Sequence, residues 1–222
     1  MKFPTLAFLI LAATCLAQEE PPDIKAIEKR ANAGEAKAQL TLGLIYDEGV
    51  GVAQDRKKAA AWLEKAAAQG VPEAQFNIGT MYEFGVGVAK NEAKAAGWFE
   101  KAAVQGLEDA QFNLARMYAD GRGVEKSFAK AAEWYEKAAV QGMTRAQFNL
   151  GLMYVKGQGV PEDAVKGYAW FSVAADAGDP AAIKNRDFIE TQFNNPELKA
   201  KDPELKTKAR QAAVELAAKL KK

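Results

Sequence analysis

The sequence predicts an all-α fold, an α/α superhelical solenoid of antiparallel helix pairs, with four full 36-residue repeats and capping helices at both ends. Three observations predict it. Trp62, Trp98, Trp134 and Trp170 stand 36 residues apart, and Gly70, Gly106, Gly142 and Gly178 keep the same step. Close copies of the stretch from Ala74 to Gly106 recur at that offset, and no insertion breaks the register. In such an array each module chiefly touches its neighbours, so the 222 residues count modules rather than one globular core.

Composition excludes more than it suggests. Lys plus Arg is 30 against 29 for Asp plus Glu, so no overall field draws the chain to nucleic acid or an acidic membrane. The chain contains no histidine, which removes the commonest general base and zinc ligand. Its one cysteine, Cys15, lies in the N-terminal apolar stretch. No catalytic, metal or cofactor residues are assigned.

Residues 1–17 read as a signal peptide: Lys2, an apolar run through Phe8, Leu9, Ile10 and Leu11, and small residues before the polar Gln18-Glu19-Glu20. Cleavage after Ala17 leaves an exported, periplasmic or secreted chain with 30 − 1 = 29 basic and 29 acidic residues. The alternative, a lipid-modified Cys15, is opposed by Ala12 and Thr14, where a lipoprotein site favours leucine and a small residue.

Residues 18–35 form an N-terminal capping half repeat, because AIEKRANAG matches WLEKAAAQG when Gly34 is aligned with Gly70. The full repeats span 36–71, 72–107, 108–143 and 144–179, each reading as helix A, loop, helix B and turn. Pro72 opens helix A of the second repeat, where its missing N–H costs nothing. Ala74, Ile78, Met81 and Tyr82 share one face, and Gly79 on that face admits a close partner helix. Gly49, Gly85, Gly121 and Gly157 end the A helices.

A second glycine follows two residues later, at 51, 87, 123 and 159. This pair follows a helix rather than a strand and lacks the lysine and third glycine of a nucleotide cradle. Val52, Val88, Val124 and Val160 then read as plugs pinning the loop to the core. Asp55, Asn91, Ser127 and Asp163 read as N-caps of helix B. In helix B of the second repeat Ala95, Trp98, Phe99, Ala102 and Ala103 form the buried stripe, which makes the tryptophan column core. The Glu-Lys pairs at 64/65, 100/101 and 136/137 read as a solvated ridge.

Residues 180–222 form a degenerate repeat and a C-terminal cap. Ala182 to Phe193 suit a helix, with Asp187 and Glu190 where glycine and tyrosine are expected. Asn194-Asn195-Pro196 breaks the chain, and Asp202-Pro203 opens a last helix lined by Ala209, Ala212, Ala213, Leu216 and Leu220. From Glu197 onward eight Lys or Arg face four Asp or Glu, net +4. Membrane contact, if any, is expected only through this basic helix.

The run A-Q-F-N-L-G-x-M-Y-x-x-G-x-G-V, followed by K-A-x-x-W-x-x-K-A-A-x-x-G, resembles the Sel-one-like repeat, a relative of the tetratricopeptide repeat with a longer, glycine-paired loop. The resemblance covers four copies from Ala36 to Gly178 and departs at Ala115, where helix A otherwise carries glycine. Gly97 and Gly167, inside helix B, are expected to loosen it. The resemblance implies a non-catalytic scaffold that holds another protein, with exported bacterial members serving envelope signalling, regulation or host contact. A cysteine-rich branch is associated with β-lactam binding and hydrolysis, and this sequence lacks that branch's paired repeat cysteines.

In tetratricopeptide-like arrays a concave groove is lined by positions that here are Leu40, Leu44 and Asp47; Phe76, Thr80 and Glu83; Phe112, Arg116 and Ala119; and Phe148, Leu152 and Val155. Either the phenylalanines anchor a protein or peptide partner there, or they pack between successive A helices. The leading function is a monomeric adaptor with no cofactor and no nucleic-acid partner. The alternatives are a hydrolase of a β-lactam or cell-wall substrate and a membrane-surface protein.

Overall fold

The computed structural model describes residues 23–221; the expected signal peptide, its cleavage point and Cys15 lie outside them. The described residues hold twelve helices and no strand. In chain order these are α1 (Ile24–Asn32), α2 (Ala36–Glu48), α3 (Arg56–Ala68), α4 (Pro72–Phe84), α5 (Glu92–Val104) and α6 (Glu108–Asp120). There follow α7 (Phe128–Val140), α8 (Thr144–Lys156), α9 (Ala164–Asp176), α10 (Pro180–Gln192), α11 (Pro196–Lys201) and α12 (Leu205–Leu220). Helices α2 to α10 are each 13 residues long. Helix A of the four repeats is α2, α4, α6 and α8; helix B is α3, α5, α7 and α9.

The chain divides into two compact units, split between Asn91 and Glu92. In the first, α1 packs on α2, α2 on α3 and α3 on α4. Its N-terminal core joins Ala31, Ala38 and Leu42, with Ile24, Ile27, Tyr46 and Trp62 packed against them. Thus α1 covers the open face of the first repeat, and Arg30 pairs with Glu35 across the turn. In the second unit each of α5 to α9 packs on the next helix, and α10 and α12 both pack on α9. Its C-terminal core joins Tyr168, Phe171, Ala174, Ile189, Phe193 and Ala209, with Leu205 packed alongside.

Local chemistry sets the repeat boundaries. Gly49, Gly85, Gly121 and Gly157 end the A helices in the left-handed region, at φ 75°, 71°, 74° and 61°. The side chains of Asp55, Ser127 and Asp163 accept first-turn N–H groups at 3.0, 3.3 and 2.9 Å. The second loop glycine has a separate cause, because a Cβ on Gly123 would lie 2.2 Å from the backbone of Glu92, and one on Gly159 2.2 Å from that of Phe128. Each of these loops rests its backbone on the first turn of the preceding helix B. The valines after the pair are half-buried rather than full plugs.

Polar repeat positions add a lattice that sequence reasoning missed. Buried Gln39, Gln75, Gln111 and Gln147 each donate from Nε2, at 3.1 Å, to the carbonyl of Ala31, Ala67, Ala103 or Ala139. These carbonyls belong to the last turns of the preceding helices, which have no partner within the helix. Gln69 and Gln141 then donate to Gln39 and Gln111, both at 2.8 Å.

Three expectations need correction. The tryptophan column is not core throughout: Trp170 is buried, while Trp62, Trp98 and Trp134 are half-buried. The inner volume is filled instead by the next residue in each copy, Leu63, Phe99, Tyr135 and Phe171. In α3 the buried Ala59, Leu63, Ala66 and Ala67 centre the stripe, so Trp62 falls on its margin. Nor are the Glu-Lys pairs only a solvated ridge. Lys65, Lys101 and Lys137 lie 3.9, 4.0 and 4.1 Å from the centroids of Trp62, Trp98 and Trp134, and Glu64 accepts the Tyr82 hydroxyl. Finally, Gly167 serves close packing, since a Cβ there would meet Val155 Cγ2 at 2.5 Å; Gly97 faces open space.

Candidate protein-binding surface

On each A helix one side is spent on packing. In α8 the buried residues are Ala146, Gln147, Leu150, Gly151 and Met153. The opposite side carries Arg145, Asn149, Leu152 and Lys156, at three- and four-residue spacing. The equivalent stripe is Asp109, Asn113, Arg116 and Asp120 on α6, and Ala181, Asn185, Phe188 and Gln192 on α10.

The expected groove residues divide by burial. In the first unit Leu40 and Thr80 are half-buried, and the Thr80 hydroxyl donates to the Phe76 carbonyl at 3.1 Å. Phe76 and Glu83 are 7% and 2% exposed, so neither presents a ring or carboxylate to a partner. In the second unit Phe112 is 9% exposed, with its ring 5.6 Å from Tyr135. Phe148 lies 5.5 Å from the Phe171 ring but remains half-buried, as do Leu152 and Arg116. Phe112 and Phe148 therefore lock helix A onto helix B of their own repeats. Leu40 and Leu44 in the first unit, and Phe148, Leu152 and Val155 in the second, keep an apolar edge at the surface.

Further candidate residues, which sequence reasoning missed, lie beside that row. Arg145 places its guanidinium 5.0 Å from the Phe112 ring centroid, bridging α6 and α8 on this side. Phe188 on α10 is 62% exposed, the largest apolar side chain on the stripe. Asn113, Asn149 and Asn185 repeat at the 36-residue step, and their recurrence at mid-helix, where asparagine is a poor helix former, is a signal legible in the sequence.

A second feature is a cleft of about 360 Å³ where α9, α10 and α12 meet, lined by Tyr168, Ser172, Asp176, Arg186, Glu190 and Arg210. Glu190 is committed there: it accepts the Tyr168 hydroxyl at 3.1 Å, pairs with Lys206 at 3.2 Å and pairs with Arg210. Burial alone would raise its pKa, but the bonds from Arg210, Lys206 and Tyr168 outweigh that and hold it below the usual carboxylate range. The Glu190 carboxylate is thus spent on the contacts that dock the C-terminal helix. Among the described residues, no group of three or more His, Cys, Asp or Glu is placed to hold a metal ion, and no helix is long and apolar enough to cross a membrane.

Paired helices repeating at 36 residues, glycine-paired loops and an unspent side on every A helix define a helical-repeat solenoid protein. The chain belongs to the Sel1 repeat family, whose model matches residues 36–71, 72–107, 108–143 and 144–179. Among solved structures it is similar to c5321, a protective antigen of uropathogenic Escherichia coli with an SLR fold, at 32% identity and a TM-score of 0.74 over 87% of this chain and 41% of that one. It is also similar to a Sel1 repeat protein from Oxalobacter formigenes, at 38% identity and a TM-score of 0.66 over 72% of this chain and 46% of that one. The chain thus spans less than half the length of these two relatives. No curated protein matches it.

Proposed function

We propose that the protein is a non-catalytic, monomeric scaffold that binds a segment of another protein along the unspent side of its A helices. The observation that carries this reading is the surface of α8, where Leu152 and the edge of Phe148 stay open beside Arg145 and Lys156 while the opposite side is consumed by packing. An apolar strip with flanking charges gives affinity and register together. A photo-crosslinking residue at Leu152 should capture a discrete partner, and one at Glu133 on α7 should not; capture from Glu133 alone would contradict the proposal.

Export is part of the same reading and rests on residues 1–17, with action in the bacterial envelope or at host contact. Sequencing the mature N-terminus tests it, with Gln18 as the expected first residue. Hydrolysis is disfavoured because the chain has no histidine and its one cysteine lies in the leader. Membrane attachment through α12 is disfavoured because Leu205, Ala209 and Ala213 on its apolar side are packed in the C-terminal core.

A further inference from the structure

Helix α12 covers the C-terminal end of the array, yet it is lightly held. It buries one of its sixteen residues, Ala209, where α9 buries eight of thirteen. Leu205 and Ala213, one turn to either side of Ala209, are only partly buried against the core of Tyr168, Phe171, Ile189 and Phe193. Its ion pairs to α10, from Lys206 and Arg210, both end on the single carboxylate of Glu190. The six residues of α11, on the path from α10 to α12, include no buried residue.

The fit of α12 is also incomplete. Its small Ala213 and the adjoining Val214 form one wall of the cleft of about 360 Å³, whose other walls include Tyr168, Ser172 and Asp176 of α9 and Arg186 and Glu190 of α10. Charge in this cleft is matched except at one point. Arg186 pairs with Asp187 and Arg210 with Glu190, whereas Asp176 has no ion pair among the described residues. Asp176 is exposed at the C-terminal end of α9, where the helix dipole disfavours an acid. The three earlier repeats hold Ala68, Val104 and Val140 at that step, so packing within a repeat does not call for a carboxylate there.

We propose that the face of α9 and α10 beneath α12 is a second binding site, which takes an amphipathic, basic helix of a partner protein in exchange for α12. The occupant repeats what α12 presents: apolar or small residues at the steps of Leu205 and Ala209, and cations at those of Lys206 and Arg210. It differs at the step of Ala213, where a long Arg or Lys fills the cleft with its stem and meets Asp176 with its charge. Exchange requires this better fit, because the tether of residues 193–204 holds α12 at an effective concentration on the order of millimolar. The site uses α9 and α10 rather than the α8 surface, so it goes beyond the scaffold reading and does not rest on it.

Fluorescein-labelled peptides of residues 202–222, one with the native sequence and one carrying Ala213→Arg, test this on the whole chain by anisotropy. The substituted peptide should bind at least about 10-fold more tightly, and Asp176→Ala in the chain should remove that advantage. Arg210→Glu in the chain loosens α12 and leaves the face beneath it intact, so it should tighten binding of the same peptide at least about 10-fold. Circular dichroism should show both chain variants folded. Equal binding of the two peptides, an advantage that survives Asp176→Ala, or no binding even to the Arg210→Glu chain overturns the proposal. So does a dimer of the native chain that the peptide dissociates, which would make a second copy the occupant.

Discussion

A methyl group at Gly123 or Gly159 has nowhere to go: it meets backbone of the preceding helix B at 2.2 Å, at φ values of 68° and 76°. Gly123→Ala should therefore lower stability by about 3 kcal/mol or more, as clash adds to left-handed strain. Gly97→Ala should instead raise it by about 0.5–1 kcal/mol, because that site lies in α5 beside open space. Urea midpoints of the two variants check both signs. Tyr135 carries a pH signature. Burial, reinforced by Asp120 and partly offset by Arg116, pushes its phenol up to about 12. An unfolded tyrosine titrates near 10, so the folded chain holds this proton more tightly. Its contribution is whole below about pH 10 and drains away as pH rises toward 12. Tyr135→Phe should flatten that alkaline loss by roughly 2–3 kcal/mol in melts between about pH 9 and 12. Tyr154 and Tyr168, also raised mainly by burial, keep part of the limb in the variant.

Element boundaries follow from caps that operate one residue at a time, which is why they are legible in the sequence. Pro72 stands at the start of α4, the αL glycines end the A helices, and Asp55 and Asp163 cap α3 and α9. What sequence reasoning missed depends on neighbours rather than on the element itself. Which of two adjacent aromatics, Trp134 or Tyr135, goes inward is decided by where the stripe of Ala131, Ala132, Ala138 and Ala139 points. The role of Gln111 depends on where the last carbonyls of α5 fall. Gln147→Ala should remove the cross-helix donor to the Ala139 carbonyl, which keeps the Gly142 N–H at 3.1 Å, and cost about 0.5–1.5 kcal/mol, read as a lower urea midpoint. At the C-terminal end, Glu190 ties α9, α10 and α12 together through Tyr168, Lys206 and Arg210. Its folded pKa is depressed, so its contribution is present above the unfolded carboxylate value, about 4.3, and is lost as pH falls through the folded one. Glu190→Gln should reduce stability at neutral pH and weaken the acid dependence of unfolding. Unchanged acid dependence would remove Glu190 from the clamp.

At the scale of the whole molecule, the strict period sets the alternation of helices A and B, and that regularity was readable from the 36-residue step alone. The contact surface was only partly readable. Of the row from Leu40 through Phe76 and Phe112 to Phe148, burial leaves Phe76 and Phe112 inside, while Leu152, Arg145 and Phe188 stay at the surface. The reason is geometric: a residue one position along a helix turns through about 100°, and periodicity alone does not say where the partner helix sits. Backbone amide signals in a nitrogen–proton correlation spectrum test the account most directly, during titration with a peptide selected from a random displayed library against the whole chain. Binding along the A helices predicts that the signals of Arg145, Phe148, Leu152 and Lys156 shift together and saturably, while those of Asn32 and Asn194 stay still. Shifts confined to residues of α5, α7 and α9, with those four residues of α8 unmoved, would contradict it.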